Sequence, residues 1–253
     1  MAKNISYAIF RVMFKERYKD PVLQLIIPIT LVGFIYVPLF LERGNLQSYA
    51  LVLSLVPMIN ISETLIFTIA LRNIIFVFGD HLKNYSVYTY LTMPITRSKY
   101  FLFSFIVDVM IPYIIWIASL FAYAFMSGIF EFSRFYILLS IIAYTAGYLF
   151  STSLILLYTV TLKSSGGVVL LSFFSLGAIF LGGGASLYYA SLTGRNSIVP
   201  LISFMNPFIP LIAYASTGDY FYLTAYTIGC VIDFAVAGIV FLISYLIFIN
   251  MEL

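Results

Sequence analysis

Apolar residues in this chain gather into runs too long for strands, and the polar residues are confined to short stretches between them. Six runs, at 22–41, 50–78, 100–126, 135–162, 166–192 and 223–249, reach or exceed the roughly 20 residues that carry a helix across a bilayer. The excess length of several predicts tilt or extension beyond the hydrocarbon. Pro28, Pro38, Pro57 and Pro112 fall inside runs, where a missing N–H predicts a kink. Neighbouring helices are then expected to satisfy the freed carbonyls. The expected fold is all-α and polytopic, a single six-span transmembrane domain over 1–253.

Residues 3–20 follow another pattern. Ile5, Ala8, Ile9, Val12 and Met13 share one helical face, with Arg11, Lys15 and Lys19 along its border. This predicts a helix lying in the membrane interface; a leader that simply extends the first span is the other reading. Two connections are long, 79–99 and 193–222. In the first, Pro94 predicts a bend from Thr92 to Thr96 between two helical pieces, and His81, Lys83, Arg97 and Lys99 cluster around it. In the second, 198–215 is apolar but Pro-broken and too short for a seventh span. It is expected to form a re-entrant outer hairpin, with a hydrophobic lid or partner patch as the alternatives.

Composition agrees with the pattern: 62% of residues are hydrophobic and 9% charged. Soluble domains carry about 25% charged residues, so this chain cannot coat a water-facing surface. With the N-terminus inside, inner segments hold Lys3, Arg11, Lys15, Arg17, Lys19, Arg72, Lys83, Arg97, Lys99 and Lys163. Outer ones hold Arg43, Arg134 and Arg195. That bias predicts a multi-pass protein with cytoplasmic N- and C-termini. The single Cys230 excludes an internal disulfide, and the single His81 gives no metal-ligand cluster. No metal, no nucleic acid and no resident cofactor are expected.

Ionisable groups inside spans are costly and default to functional candidates. Glu63, Asp108 and Asp233 fall in the middle-to-inner zone, and Arg72 sits near the inner boundary where it can snorkel. The three acids are candidates for a translocation path. The alternative is that each is protonated, or hydrogen-bonded to a Ser, Thr or Tyr of a neighbouring helix. Gly182, Gly183 and Gly184 weaken the fifth run, and a break or hinge is expected there. Small residues there also permit close helix contact.

Catalytic motifs are missing. There is no His-Glu-x-x-His for zinc and no Gly-x-Gly-Asp for an aspartyl intramembrane protease. Nor is there a Gly-x-x-x-x-Gly-Lys-Ser/Thr loop to cradle phosphates; Thr161-Leu162-Lys163-Ser164 lacks both glycines. The chain is expected not to be an enzyme by itself.

The order of features, with Tyr90-Leu91-Thr92-Met93-Pro94-Ile95-Thr96-Arg97, resembles the ABC-2 type permeases, the membrane subunits of type-2 ATP-binding-cassette exporters. That family's signature is Leu-x-x-Pro-Ile/Val-Ser-Arg, usually preceded by Gly-Thr-x-Glu. Here Tyr85-Ser86-Val87-Tyr88 stands in its place and the acidic position is missing. The resemblance implies a coupling helix in 79–99 that docks on a separate ABC ATPase. Tyr85, Tyr88, Tyr90, Leu91, Pro94 and Arg97 are its partner-binding candidates. It also implies two ATPase copies holding ATP and Mg, and a second permease copy or sibling permease in the membrane lipid. Export of an amphipathic, lipid-like or drug-like substrate is expected, with an ATP-independent secondary transporter or membrane scaffold as the alternative.

Overall fold

The computed structural model describes residues 2–18, 67–126, 129–193 and 197–251. All regular structure among them is helical. Helix α1 spans Ala2–Tyr18. Helix α2 is described over 67–83 and contains a π-helical turn at Asn73–Phe78, followed by an α-helical end, Gly79–Lys83. A short helix α3, Val87–Leu91, leads to α4, 97–126. Helices α5, Ile129–Leu162, and α6, 165–192, follow. Two short helices, α7 (Val199–Ile202) and α8 (Phe208–Thr217), precede α9, Tyr220–Asn250.

Four helical stretches are long and apolar enough to cross a membrane: Arg97–Ala118, Arg134–Leu162, Ser165–Leu192 and Tyr220–Asn250. They correspond to the last four expected runs. The run at 22–41 lies outside the described residues, as does 50–66 of the second run. Helices α5 and α9 form the central pair. The buried face of α9 repeats at helical spacing through Tyr226, Cys230, Asp233, Ala237, Val240, Ser244 and Phe248.

The expected bend is present. Thr92–Thr96 is non-helical, and Thr96 caps α4 by accepting from the Lys99 backbone N–H at 3.4 Å. The expected break in the fifth run takes another form: α6 continues without interruption from 165 to 192 but carries a π-helical turn at Ala178–Gly183. A Cβ on Gly183 would lie 2.8 Å from Met205 Cβ. Gly183 therefore admits Met205 of the 203–205 turn against the helix wall. The 198–215 segment forms α7 and α8, both packed along α9. Gly218, at φ 71°, closes α8 in the left-handed conformation that glycine adopts without penalty.

The buried edge of α1 differs from the expected stripe. Ile9, Met13 and Arg17, four residues apart, face the bundle; Ala8 and Val12 are exposed. That edge carries Arg17 to Asp108 inside the bundle.

Candidate functional site

The residues with the densest polar contacts lie where α1 meets the start of α4. Arg17 is fully buried. Its Nε donates to Asp108 Oδ1 at 2.9 Å, its Nη1 to Glu16 Oε2 at 2.6 Å, and its Nη2 to Ser104 Oγ at 3.4 Å. A guanidinium is the one cation whose flat fork can serve three acceptors in a dry site. Burial acts to weaken its hold on the proton, but the Asp108 carboxylate outweighs this and pushes the pKa up.

Glu16 gathers the preceding connection. His81 Nε2 meets Glu16 Oε1 at 2.8 Å, and the Tyr90 hydroxyl donates to Glu16 Oε2 at 3.0 Å. A carboxylate only accepts, so Nε2 carries the proton, and in the neutral ring Nδ1 accepts from the Tyr100 hydroxyl at 3.2 Å. Burial pushes the Glu16 carboxyl up, but His81, Arg17 and Tyr90 together hold it below the ordinary value of 4.5. Burial first, then the Glu16 charge, pushes the Tyr90 hydroxyl up to about 12.

Beside this network two π-helical turns face each other, Asn73–Phe78 in α2 and Ile106–Met110 in α4. A π turn disturbs the regular carbonyl ladder, and such turns recur at functional positions. Tyrosines from other helices engage it here. Tyr18 donates to the Val107 carbonyl at 2.7 Å, and Tyr148 to the Val109 carbonyl at 2.8 Å. Asn73 Nδ2 donates to the Tyr18 oxygen at 3.5 Å, so one tyrosine of α1 touches both π turns. Arg72 Nη1 closes the arrangement by donating to the Arg17 carbonyl at 3.1 Å and to Asn73 Oδ1 at 3.0 Å.

The partner-binding candidates separate into two groups. Tyr85 (63% exposed) and Tyr88 (39%) project outward with ring centroids 6.0 Å apart, and Met93 (43%) and Pro94 are exposed beside them. Tyr85 also sits at φ 57°, an uncommon conformation for a side chain of its size. Tyr90 and Leu91 instead pack against the core. Arg97 Nη1 donates to the carbonyls of Ile249 and Met251 at 3.0 and 2.7 Å, closing the C-terminus of α9. Its guanidinium holds two elements of this chain together, which leaves Tyr85, Tyr88, Met93 and Pro94 as the projecting surface.

Of the path candidates, Glu63 lies outside the described residues. Asp108 is paired with Arg17 of α1, a cation of the N-terminal helix. Asp233 is fully buried in α9, and neither carboxylate oxygen has a hydrogen-bond partner among the described residues. Among the described residues no group of three His, Cys, Asp or Glu side chains could hold a metal ion.

Glu16, Arg17, Tyr18 and Asn73 were not singled out from sequence. The available signal was the spacing Ile9, Met13, Arg17, which places a cation on an apolar edge. Comparisons with protein-family models, curated proteins and solved structures find no match to this chain.

Proposed function

We propose that this chain is the membrane-spanning subunit of an ABC-2 type exporter, a six-span permease of the cell membrane with both termini cytoplasmic. A separate ATPase, present in two copies with ATP and Mg, drives a pair of such subunits. The cargo is amphipathic, lipid-like or drug-like.

One observation carries the reading: the connection after α2 is bare at its tip and tied at its base. Tyr85, Tyr88, Met93 and Pro94 form an exposed aromatic ledge. At the base, His81 and Tyr90 join Glu16 of α1, and His81 joins Tyr100 of α4. A force on the ledge thus has a polar route into α1, and from there through Arg17 into α4 at Asp108. Tyrosine is favoured at the centre of protein interfaces, because it brings large area at low entropic cost.

The test is purification of the full chain from its native membrane, with mass spectrometry for a co-purifying P-loop ATPase. Replacing both Tyr85 and Tyr88 by Ala is expected to weaken that association by about 2 kcal/mol or more, roughly thirtyfold. Transport in vesicles with no ATPase bound would overturn the proposal in favour of an ATP-independent carrier.

A further inference from the structure

A cavity of about 400 Å³ lies between α2, α5, α6 and the α7–α8 hairpin, away from the polar network. Phe67, Tyr144, Tyr148, Phe180 and Phe208 bring rings to it from four elements. The Tyr144 and Phe208 rings meet at 4.4 Å and the Phe67 and Tyr148 rings at 6.2 Å, so ring contacts tie its walls together. Phe180 comes from the π-helical turn of α6, which gives that turn a second consequence besides admitting Met205. Volume and lining are those of a small-molecule site: mostly apolar, with few polar groups.

Among the described residues no charged side chain lines the cavity. Against these walls a charged ligand would lose its hydration with no described charge to replace it, which disfavours ions. Besides the Tyr144 and Tyr148 hydroxyls, two polar side chains are among the described lining, Ser151 and Asn206. Ser151 is 5% exposed, and its hydroxyl makes no hydrogen bond to a described residue. The threonines on the same helix behave otherwise: Thr145, Thr152 and Thr159 each return a bond to the carbonyl four residues back. Asn206 uses its Oδ1 to accept from the Phe208 backbone N–H at 3.2 Å, and its Nδ2 donates to no described residue. Gly147 supplies floor space, since a Cβ there would meet nothing within 4 Å.

We propose that this cavity binds a neutral, ring-bearing amphiphile whose single hydrogen-bonding group meets Ser151 and Asn206. The rings of the cage take the body of the ligand edge-on or offset. The site lies within one chain and does not depend on whether an ATPase drives it.

The experiment uses the full chain in lipid nanodiscs and two photoreactive probes, a trifluoromethyl-diazirinyl benzyl alcohol and its toluene counterpart. Peptide mapping is expected to place saturable labelling on 143–151 and 206–212, competed by excess benzyl alcohol. Gly147→Phe fills the floor and is expected to abolish that labelling, while leaving labelling of the exposed Phe173 and Leu181 unchanged. Ser151→Ala is expected to raise half-saturation for the alcohol about fivefold, as loss of one hydrogen bond does, and to leave the toluene probe unaffected. Should Gly147→Phe fail to fold, the two probes on Ser151→Ala decide alone. Non-saturable labelling confined to outward-facing residues, or cavity labelling indifferent to Ser151→Ala, overturns the proposal. Loss of ATPase association without loss of labelling would count against the exporter reading only.

Discussion

Arg17, at the end of the N-terminal helix, and Asp108, in the π-helical turn of α4, form a buried ion pair at 2.9 Å across 91 residues of sequence. Neither group could remain charged in an apolar setting alone. The pair therefore fixes where α1 sits on the bundle. Glu16, the neighbouring residue, extends the same junction to His81 and Tyr90. The connection after α2 and the entrance of α4 thus share one polar centre.

Removing one partner of that pair strands the other. Arg17→Met or Asp108→Leu alone is expected to cost about 3–5 kcal/mol, because an uncompensated buried charge remains. The double substitution is expected to recover most of this loss. Thermal unfolding of the purified protein in one detergent gives the cycle; additive losses would show that the two side chains do not interact.

The Glu16 contacts predict a pH window. Its folded pKa lies below the ordinary 4.5, so its contribution is fully present above that value and is lost as pH falls through the depressed one. Tyr90 has the opposite sign. With its hydroxyl raised from 10.0 to about 12, its contribution is present below pH 10.0 and disappears as pH climbs toward 12. Hydrogen exchange over 2–18 should accelerate at both extremes, and Glu16→Gln should flatten the acid limb.

Gly229 faces backbone. A Cβ there would lie 2.8 Å from the carbonyl carbon and oxygen of Ser203, neither of which can rotate away. Gly229→Ala is expected to destabilise by about 1–3 kcal/mol by prising the 203–205 turn from α9. Gly238 on the same helix has nothing within 4 Å. Gly238→Ala should be neutral or stabilise by up to about 1 kcal/mol through helix propensity. Equal effects in a melting experiment would contradict this contact.

Asp233 carries a buried carboxyl whose two oxygens have no hydrogen-bond partner among the described residues. Retaining it costs stability, so Asp233→Asn should raise the melting temperature, by an amount matching about 1 kcal/mol or more. If transport falls while stability rises, the carboxyl serves the translocation path.

Much of the long-helix architecture was legible in the sequence, because bilayer thickness imposes a minimum apolar length that four described helices meet. The bend before α4 was legible too, since Pro94 lacks an N–H. The roles of Tyr90 and Arg97 were not. Both stand in a polar connection where exposure is the ordinary expectation, yet one folds back onto Glu16 and the other onto the end of α9. Their partners lie 74 and 152 residues away, and no local pattern encodes such distances.

Residue chemistry and spacing by themselves determined an all-helical chain, its longest apolar segments and the places where helices must stop. These follow from backbone hydrogen bonding and apolar length, which act along the chain. Tertiary structure alone decided that Arg17 enters the bundle, that tyrosines engage the π turns, and that five rings line one cavity beneath the hairpin. Those outcomes depend on which faces meet, and a buried polar group takes whichever partner the packing brings within reach.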